Sequence, residues 1–346
     1  AAGQGTRMKS STVKVLHPLA GRPMLHYPVA VARKIGSHKI VIVVGHQQEE
    51  VKRAFPDSDL DFAFQSRQLG TGHAVMSARE TLSGFKGDIL VLCGDIPLIR
   101  ETTMEGLTEV HRQGKNCATV LTVRKNDPTG YGRIVRGRDG IIQGIVEEKD
   151  ASPQEREISD VNSGVYCFEA GFLFNALDSL SNRNAQNEYY LTDIIAIARE
   201  QGRKVADFLI SDEVEVMGIN TRVDLAKAQE ELRKAILENL MLEGVTCISP
   251  KDTYVDYDVR VGKDTVIYPN SFLEGDTEIG ESCLIEAGCL IRDSKIGSYV
   301  IIRSMSVITA STIEDQAVIG PFAYIKSGCH IDKNGNVGSF REVQSE

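Results

Sequence analysis

Aliphatic side chains recur at every sixth position along the C-terminal part of the chain, starting at Val255. Two steps, from Ile291 to Ile296 and from Ile308 to Ile313, are one residue shorter. This period fits neither an α-helix nor an alternating strand, and hexapeptide repeats are typical of a parallel β-helix. The residues predicted to point into its core are Val255, Val261, Ile267, Leu273, Ile279, Ile285, Ile291, Ile296, Ile302, Ile308, Ile313, Ile319, Ile325, Ile331, Val337 and Val343.

Small side chains occupy the position four residues after many of these aliphatics, where neighbouring coils would stack tightly. They are Thr265, Ser271, Thr277, Cys283, Cys289, Ala317, Ala323 and Cys329. Three of the seven cysteines are thereby explained as packing residues. Because the cysteines form no close-spaced pairs and no secretory signal accompanies them, we expect a reducing compartment and a cytoplasmic protein.

The first part of the chain alternates continuous apolar runs with helix-like spacing. The runs at 39–45, 88–95 and 118–123 are apolar on both faces, as in strands buried in parallel sheets, and the segment 72–79 has helical spacing. This alternation predicts an α/β sheet, in which ligands bind at the carboxyl ends of strands.

An amphipathic helix is predicted between the two parts of the chain, with its C-cap at Gly244. Its apolar positions, three and four residues apart, are Leu225, Ala228, Leu232, Ile236 and Leu240. A chain of 346 residues is expected to form two domains. We therefore predict an α/β domain over 1–220, a linker helix over 221–244 and a β-helix domain over 245–346.

The overall charge excludes some classes of partner. The net charge is −9, and lysines and arginines form no stripe, which argues against a nucleic-acid-binding protein. No apolar run approaches the roughly 18 residues of a membrane span. Any phosphate binding must therefore be local.

The first fourteen residues carry the strongest candidate for such a site. Gly3 and Gly5, followed by Thr6, Arg7 and Lys14, describe a loop whose backbone N–H groups can face a polyphosphate while two cations clamp it. The spacing matches neither the P-loop nor the dinucleotide-binding fingerprint. The alternative is a glycine-rich turn with solvated cations. Since the loop begins at residue 1, the strand expected before it is missing, and we expect an N-terminally clipped chain.

Asp95 follows an apolar strand directly and is placed to bind Mg²⁺, a hard cation that shares its coordination with substrate phosphates. The alternative is an aspartate that caps the next helix. Asn220 is a candidate second oxygen ligand. His73 is expected to start a helix or to pack, since no nucleophile motif accompanies it.

Polar residues among glycines mark two further loops. The segment 65–74 begins a helix. Its side-chain amides could recognise the edge of a base through the pattern of hydrogen-bond donors and acceptors there. The segments 131–134, 146–150 and 161–164 would supply groups that bind the hydroxyls of a sugar.

In order along the chain, these segments resemble the bacterial N-acetylglucosamine-1-phosphate uridylyltransferases, a bifunctional family that also acetylates glucosamine-1-phosphate. The matching motifs are AAGQGTRM with Lys14, QSRQLGTGHA, CGDIPL, YGRIVR, IVEEKD, VNSGV, NEYYLTD and GINTR. The resemblance covers nearly the whole chain. It implies a nucleotidyltransferase domain with a Rossmann-like mixed sheet, followed by a left-handed β-helix that assembles as a homotrimer.

The resemblance also implies roles for individual residues. Arg7 and Lys14 would hold the phosphates of UTP during catalysis, and Asp95 with Asn220 would bind Mg²⁺. The residues expected at the nucleotide are Ala2, Gly3, Lys14, Gln65, Gln68, Gly70 and Thr71. Those expected at N-acetylglucosamine-1-phosphate are Gly132, Glu147, Asn162, Thr192 and Asn220.

Two alternatives stay open: a sugar nucleotidylyltransferase with another base or sugar, and a non-catalytic regulatory subunit. A regulatory subunit would be expected to lose the metal ligand or the basic clamp, and this sequence has both. After Phe340 the family continues into lysine-rich coils that carry acetyl transfer, whereas this sequence ends at Glu346. We therefore expect a chain truncated at both ends, without acetyltransferase activity.

Overall fold

The computed structural model describes Gly3 and residues 5–344. These residues form two compact units. The first comprises the residues up to His17 together with Pro23–Asp224, and the second comprises Pro18–Arg22 with the residues from Leu225 onwards. The short segment Pro18–Arg22 groups with the second unit because of two hydrogen bonds of Ala20. The Ala20 N–H donates to Gln229 Oε1 at 2.8 Å, and the Ala20 carbonyl accepts from the Tyr257 N–H at 3.0 Å.

The first unit contains helices and strands in alternation. The helices are α1 (His26–Lys34), α2 (Gln48–Ala54), α3 (Thr71–Ser77), α4 (Glu101–Gly114), α5 (Pro153–Arg156), α6 (Ala170–Leu177) and α7 (Asp193–Glu200). The strands β1 (Pro18–Leu19) and β2 (Arg22–Pro23) lie around the short segment that groups with the second unit. The strands of the first unit are β3 (Ile40–Val44), β4 (Leu60–Phe64), β5 (Asp88–Val91), β6 (Ala118–Arg124), β7 (Arg133–Arg136), β8 (Ile142–Val146), β9 (Asp160–Glu169) and β10 (Val205–Ile210).

The main sheet of this unit is mixed, as the resemblance implies. Its order is β10-β6-β9-β7-β8, with β5 also on β9. β6 runs parallel to β10, while β5, β6 and β7 run antiparallel to β9. β3 and β4 pair with each other in parallel. The unit is of the α/β class that the apolar runs predict. The expectation that these runs lie in a parallel sheet is wrong for β5 and β6, because both pair antiparallel with β9.

Helices on both faces of the sheet explain the continuous apolar runs. Every residue of β6 from Ala118 to Val123 is buried. On one side its residues pack in a cluster with Leu173 of α6 and Ile194 of α7, and on the other with Leu107 of α4. A strand covered on both faces needs apolar side chains at consecutive positions.

The helix α8 (Arg222–Leu242) starts within the first unit, and from Leu225 onwards it belongs to the second unit, which continues as a parallel β-helix. Gly244 has a φ of +98°, and its N–H donates to the Met241 carbonyl at 3.1 Å, so it ends the helix as predicted. The strands are β11 (Thr246–Cys247), β12 (Tyr254–Val255), β13 (Arg260–Val261), β14 (Val266–Ile267), β15 (Phe272–Glu274), β16 (Glu278–Ile279), β17 (Leu284–Ile285), β18 (Leu290–Arg292), β19 (Lys295–Ile296), β20 (Ile301–Ile302), β21 (Val307–Thr309), β22 (Thr312–Ile313), β23 (Val318–Ile319), β24 (Tyr324–Ile325), β25 (His330–Ile331), β26 (Asn336–Val337) and β27 (Glu342–Val343).

Every third strand stacks on the same face, which gives the three parallel sheets of a left-handed β-helix. Their orders are β11-β14-β17-β20-β23-β26, β12-β15-β18-β21-β24-β27 and β13-β16-β19-β22-β25. The predicted inward aliphatics from Val255 to Ile325 and Val337 are buried, and Ile331 and Val343 pack partly buried against the same core. The predicted small positions, from Thr265 to Cys329, are buried as well.

Among the described residues, no helix is long and apolar enough to cross a membrane.

Candidate active site

One large cleft of the first unit is lined by most of the predicted site residues. Its volume of about 2060 Å³ also extends past them, along β3, β5 and α4. Ala2 lies outside the described residues. Arg7, Lys14 and Asn220 lie beside Asp95 and contact one another or the aspartate. The predicted residues that line the cleft are Gly3, Gln65, Gln68, Gly70, Thr71, Asp95, Gly132, Glu147, Asn162 and Thr192.

Lys14 joins the two predicted metal ligands. Its Nζ donates to Asp95 Oδ2 at 2.5 Å and to Asn220 Oδ1 at 2.8 Å, and Arg7 donates to the same Asn220 oxygen at 2.9 Å. The Lys14 side chain is 10% exposed and that of Asp95 is 32% exposed. The loop closes onto Lys14 through Gly5, which has a φ of +60° and whose Cβ, if present, would lie 2.7 Å from Lys14 Cβ.

Backbone hydrogen bonds place Asp95 beside Asn220. β5 ends at Val91, so Asp95 lies in the turn after the strand, and its carbonyl accepts from the Ile219 N–H at 2.9 Å. Asp224 Oδ2 accepts from the Asn220 N–H at 3.1 Å, which fixes the turn that leads into α8. The alternative role for Asp95, a helix cap, is not observed, because the N-cap of α4 is Arg100.

This pair of oxygens fits a divalent cation. A carboxylate oxygen and an amide oxygen both lie within hydrogen-bond distance of one ammonium group, so they can also approach one metal ion. The donor set is all oxygen, as Mg²⁺ prefers, and two protein ligands leave room for substrate phosphates.

Gln65 lies at the predicted base-binding end of the cleft and is only 3% exposed. Its Nε2 donates to the Gly70 carbonyl at 3.2 Å and lies 3.0 Å from His73 Nδ1. Gly70 has a φ of +105°, and a Cβ there would lie 2.7 Å from the Tyr189 carbonyl. The Thr71 hydroxyl accepts from the Leu191 N–H at 3.0 Å, which holds the start of α3.

Glu147 and Asn162 lie where the sugar is expected. Glu147 Oε1 accepts from the Thr192 hydroxyl at 3.1 Å, and burial raises the pKa of Glu147. Asn162 Nδ2 donates to the Tyr166 hydroxyl at 2.6 Å, and the backbone N–H of Asn162 donates to the Gly132 carbonyl at 2.9 Å. These contacts orient a carboxylate and a carboxamide within the cleft, both of which can bind sugar hydroxyls.

Comparison with known proteins decides the family. The nucleotidyl transferase family profile matches residues 1–234. The chain is 50% identical to the bifunctional protein GlmU of Geotalea uraniireducens, 48% to that of Geobacter sulfurreducens and 46% to that of Shouchella clausii. Each match covers 99% of this chain, and 75–76% of the relative. The chain is a nucleotidyl transferase of the GlmU family.

The nucleotidyl transferase cleft also contains residues that sequence reasoning did not select. Cys93 and Gly94 line it directly before Asp95, and Tyr166 and Glu188 line its walls. Burial raises the pKa of the Cys93 thiol to about 12, so this cysteine stays protonated. Cys93 and Gly94 directly precede the predicted metal ligand Asp95, so the sequence could have placed them in the site. No sequence pattern predicts the hydrogen bond between Tyr166 and Asn162.

Proposed function

We propose that this nucleotidyl transferase transfers the uridylyl group of UTP to N-acetylglucosamine-1-phosphate, in a reaction that requires Mg²⁺, and that residues 1–220 carry it out. The products are UDP-N-acetylglucosamine and pyrophosphate. The observation that carries the proposal is the convergence of Lys14, Arg7, Asp95 and Asn220 beside a cleft with buried polar side chains.

The reaction needs charge neutralisation more than proton transfer. The phosphate of the sugar is already an anionic nucleophile that attacks the α-phosphorus of UTP, and pyrophosphate leaves as an anion. Lys14 and Arg7 are placed to offset the repulsion between the two substrates and to stabilise the leaving group. Nothing lies within 4 Å of a Cβ built at Gly3, so the space beside this backbone is open to a phosphate.

Asp95 and Asn220 would hold the Mg²⁺ ion, which supplies further positive charge at the phosphates. Asp95 provides the charged ligand, and the Asn220 amide oxygen is kept in place by the turn around Asp224. Lys14 is released from this pair when its ammonium group moves to the phosphates.

The remaining residues of the cleft orient the two substrates. Gln65, Gln68, Gly70 and Thr71 are assigned to the uracil end. Glu147, Asn162, Thr192 and Gly132 are assigned to N-acetylglucosamine-1-phosphate. Ionised Glu147 accepts hydrogen bonds from sugar hydroxyls, and Thr192 keeps its carboxylate oriented.

We also propose that the β-helix unit forms a homotrimer. Two of its sheets present half-buried or exposed apolar side chains outward, whereas outward positions of the third include Arg260, Glu278 and Lys295. The apolar positions are Val266, Leu284, Ile301, Val318, Phe272, Leu290, Val307 and Tyr324. Such a surface favours self-association. Light scattering of Ile301→Lys against the wild type tests this, and an unchanged mass would contradict an interface at that sheet.

The uridylyl transfer itself is tested with a matrix of four nucleoside triphosphates and several sugar-1-phosphates, assayed for pyrophosphate release. We expect the highest specificity constant for UTP with N-acetylglucosamine-1-phosphate. A preference for another base or another sugar would overturn the assignment.

A further inference from the structure

Gln65 is the most deeply buried polar side chain at the base-binding end of the cleft, and its hydrogen bonds determine what it can offer a ligand. It directly follows β4, where its N–H donates to the Val44 carbonyl at 2.8 Å. Its carboxamide nitrogen has two partners, the Gly70 carbonyl at 3.2 Å and His73 Nδ1 at 3.0 Å.

The chemistry of these partners fixes the positions of the protons. A carboxamide nitrogen can only donate, and it has two protons. The Gly70 carbonyl accepts one of them. His73 Nδ1 must accept the other, so the ring proton of His73 lies on Nε2. Both Gln65 protons are then committed, and the atom that remains for a ligand is the acceptor Oε1.

An acceptor at this place distinguishes the two pyrimidines. Ring nitrogen N3 carries a proton in uracil, whereas in cytosine it carries a lone pair. An acceptor that faces N3 binds uracil and repels cytosine. A Gln65 with a free proton could instead rotate its carboxamide and donate to the N3 of cytosine.

We propose that His73 is a specificity-determining positioning residue, which selects UTP over CTP by holding the Gln65 carboxamide with its oxygen toward the base. The inference rests on the proposed uridylyl transfer and identifies how the site recognises its nucleotide. His73 reaches the base only through Gln65.

The surroundings keep His73 in a fixed position. It lies in the first turn of α3, and its ring lies near that of Tyr189, with the centroids 6.3 Å apart. Tyr189 is itself anchored, because its N–H donates to the Leu69 carbonyl at 2.7 Å and its carbonyl accepts from the Gly72 N–H at 2.8 Å. The Nδ1 acceptor is therefore held by two segments of the chain.

The test compares His73→Leu with His73→Asn. Leucine removes the acceptor, whereas the asparagine Oδ1 stands close to the position of Nδ1 and restores it. Both variants lose the ring, and leucine and asparagine are similar in size. We measure the ratio of kcat/KM for UTP to that for CTP, and the affinities of α,β-methylene analogues of both nucleotides by calorimetry.

We expect His73→Leu to lower the UTP/CTP ratio about five- to tenfold, since one hydrogen bond to a buried amide contributes about 1–1.5 kcal/mol. His73→Asn should retain most of the wild-type ratio. A merely structural role would lower both specificity constants equally in both variants. An unchanged ratio in His73→Leu would overturn the inference.

A second measurement uses the wild-type protein and does not depend on the folding of a variant. N3-methyluridine triphosphate lacks the N3 proton, so we expect it to bind at least tenfold more weakly than UTP. Equal binding would show that the Gln65 oxygen does not face N3, and would overturn the inference. A wild type without preference for UTP over CTP would overturn the proposed function instead.

Discussion

Replacing Lys14 with methionine should strengthen the binding of a divalent cation to the nucleotide-free protein, although it weakens the binding of UTP. In the free protein the Lys14 ammonium binds both oxygens that are assigned to the metal, Asp95 Oδ2 at 2.5 Å and Asn220 Oδ1 at 2.8 Å. A metal ion must displace it. Methionine has a similar length and no charge, so it removes this competition and preserves much of the packing.

The size of the effect follows from burial. With Lys14 10% and Asp95 32% exposed, the pair is better shielded from water than a surface ion pair. A hydrogen bond to a charged group contributes about 1.5–3 kcal/mol, which corresponds to about ten- to a hundredfold in a binding constant. We therefore expect Mn²⁺, used in place of Mg²⁺, to bind Lys14→Met about ten- to a hundredfold more tightly than the wild type.

Electron paramagnetic resonance of free Mn²⁺ measures this affinity without nucleotide or sugar. Lys9→Met is the matched control, because Lys9 is an exposed lysine of the same loop, and it should leave the affinity unchanged. The double variant Lys14→Met with Asp95→Asn should lose the gain. Equal or weaker binding of Mn²⁺ by Lys14→Met would refute the argument that Lys14 competes with the metal.

Three further outcomes can be measured. Asp95→Ala should lower kcat about a thousandfold or more, because several kcal/mol of charge stabilisation are lost, while circular dichroism stays unchanged; near-normal turnover at saturating Mg²⁺ would contradict the metal role. Ile302→Ala should destabilise the β-helix by about 2–5 kcal/mol in denaturant unfolding, because the side chain is fully buried, and a loss below 1 kcal/mol would contradict this packing. The KM for N-acetylglucosamine-1-phosphate should rise as the pH falls toward the raised pKa of Glu147, because protonation removes the carboxylate acceptor, and this dependence should be absent in Glu147→Gln.

The β-helix was the most predictable part of the fold. Its hexapeptide period follows directly from the geometry of short strands around one core, so residues such as Ile302 and Cys283 could be placed inward from the sequence alone. Strand pairing in the first unit was harder to predict from the sequence, because an apolar run such as 118–123 is compatible with parallel and antiparallel neighbours. The antiparallel position of β9 beside β5 and β6 depends on contacts between distant segments.

The candidate site was predictable as a set of residues but not as a set of contacts. Motif spacing identifies Lys14, Asp95 and Asn220, yet their side chains meet through separations of 81 and 206 residues. His73 was expected to pack or to start a helix, and the structure adds its contact with Gln65. Hydrogen bonds of this kind depend on side-chain geometry at a few tenths of an ångström, which no local sequence pattern specifies.

The proposed uridylyl transfer is tested most directly by following each phosphorus atom of UTP through the reaction. With Mg²⁺ and N-acetylglucosamine-1-phosphate, label from [α-³²P]UTP should appear in UDP-N-acetylglucosamine, and label from [γ-³²P]UTP should appear only in pyrophosphate. Asp95→Asn should form neither product at a comparable rate. Label from the γ position in a sugar product, or release of inorganic phosphate in place of pyrophosphate, would contradict attack of the sugar phosphate on the α-phosphorus.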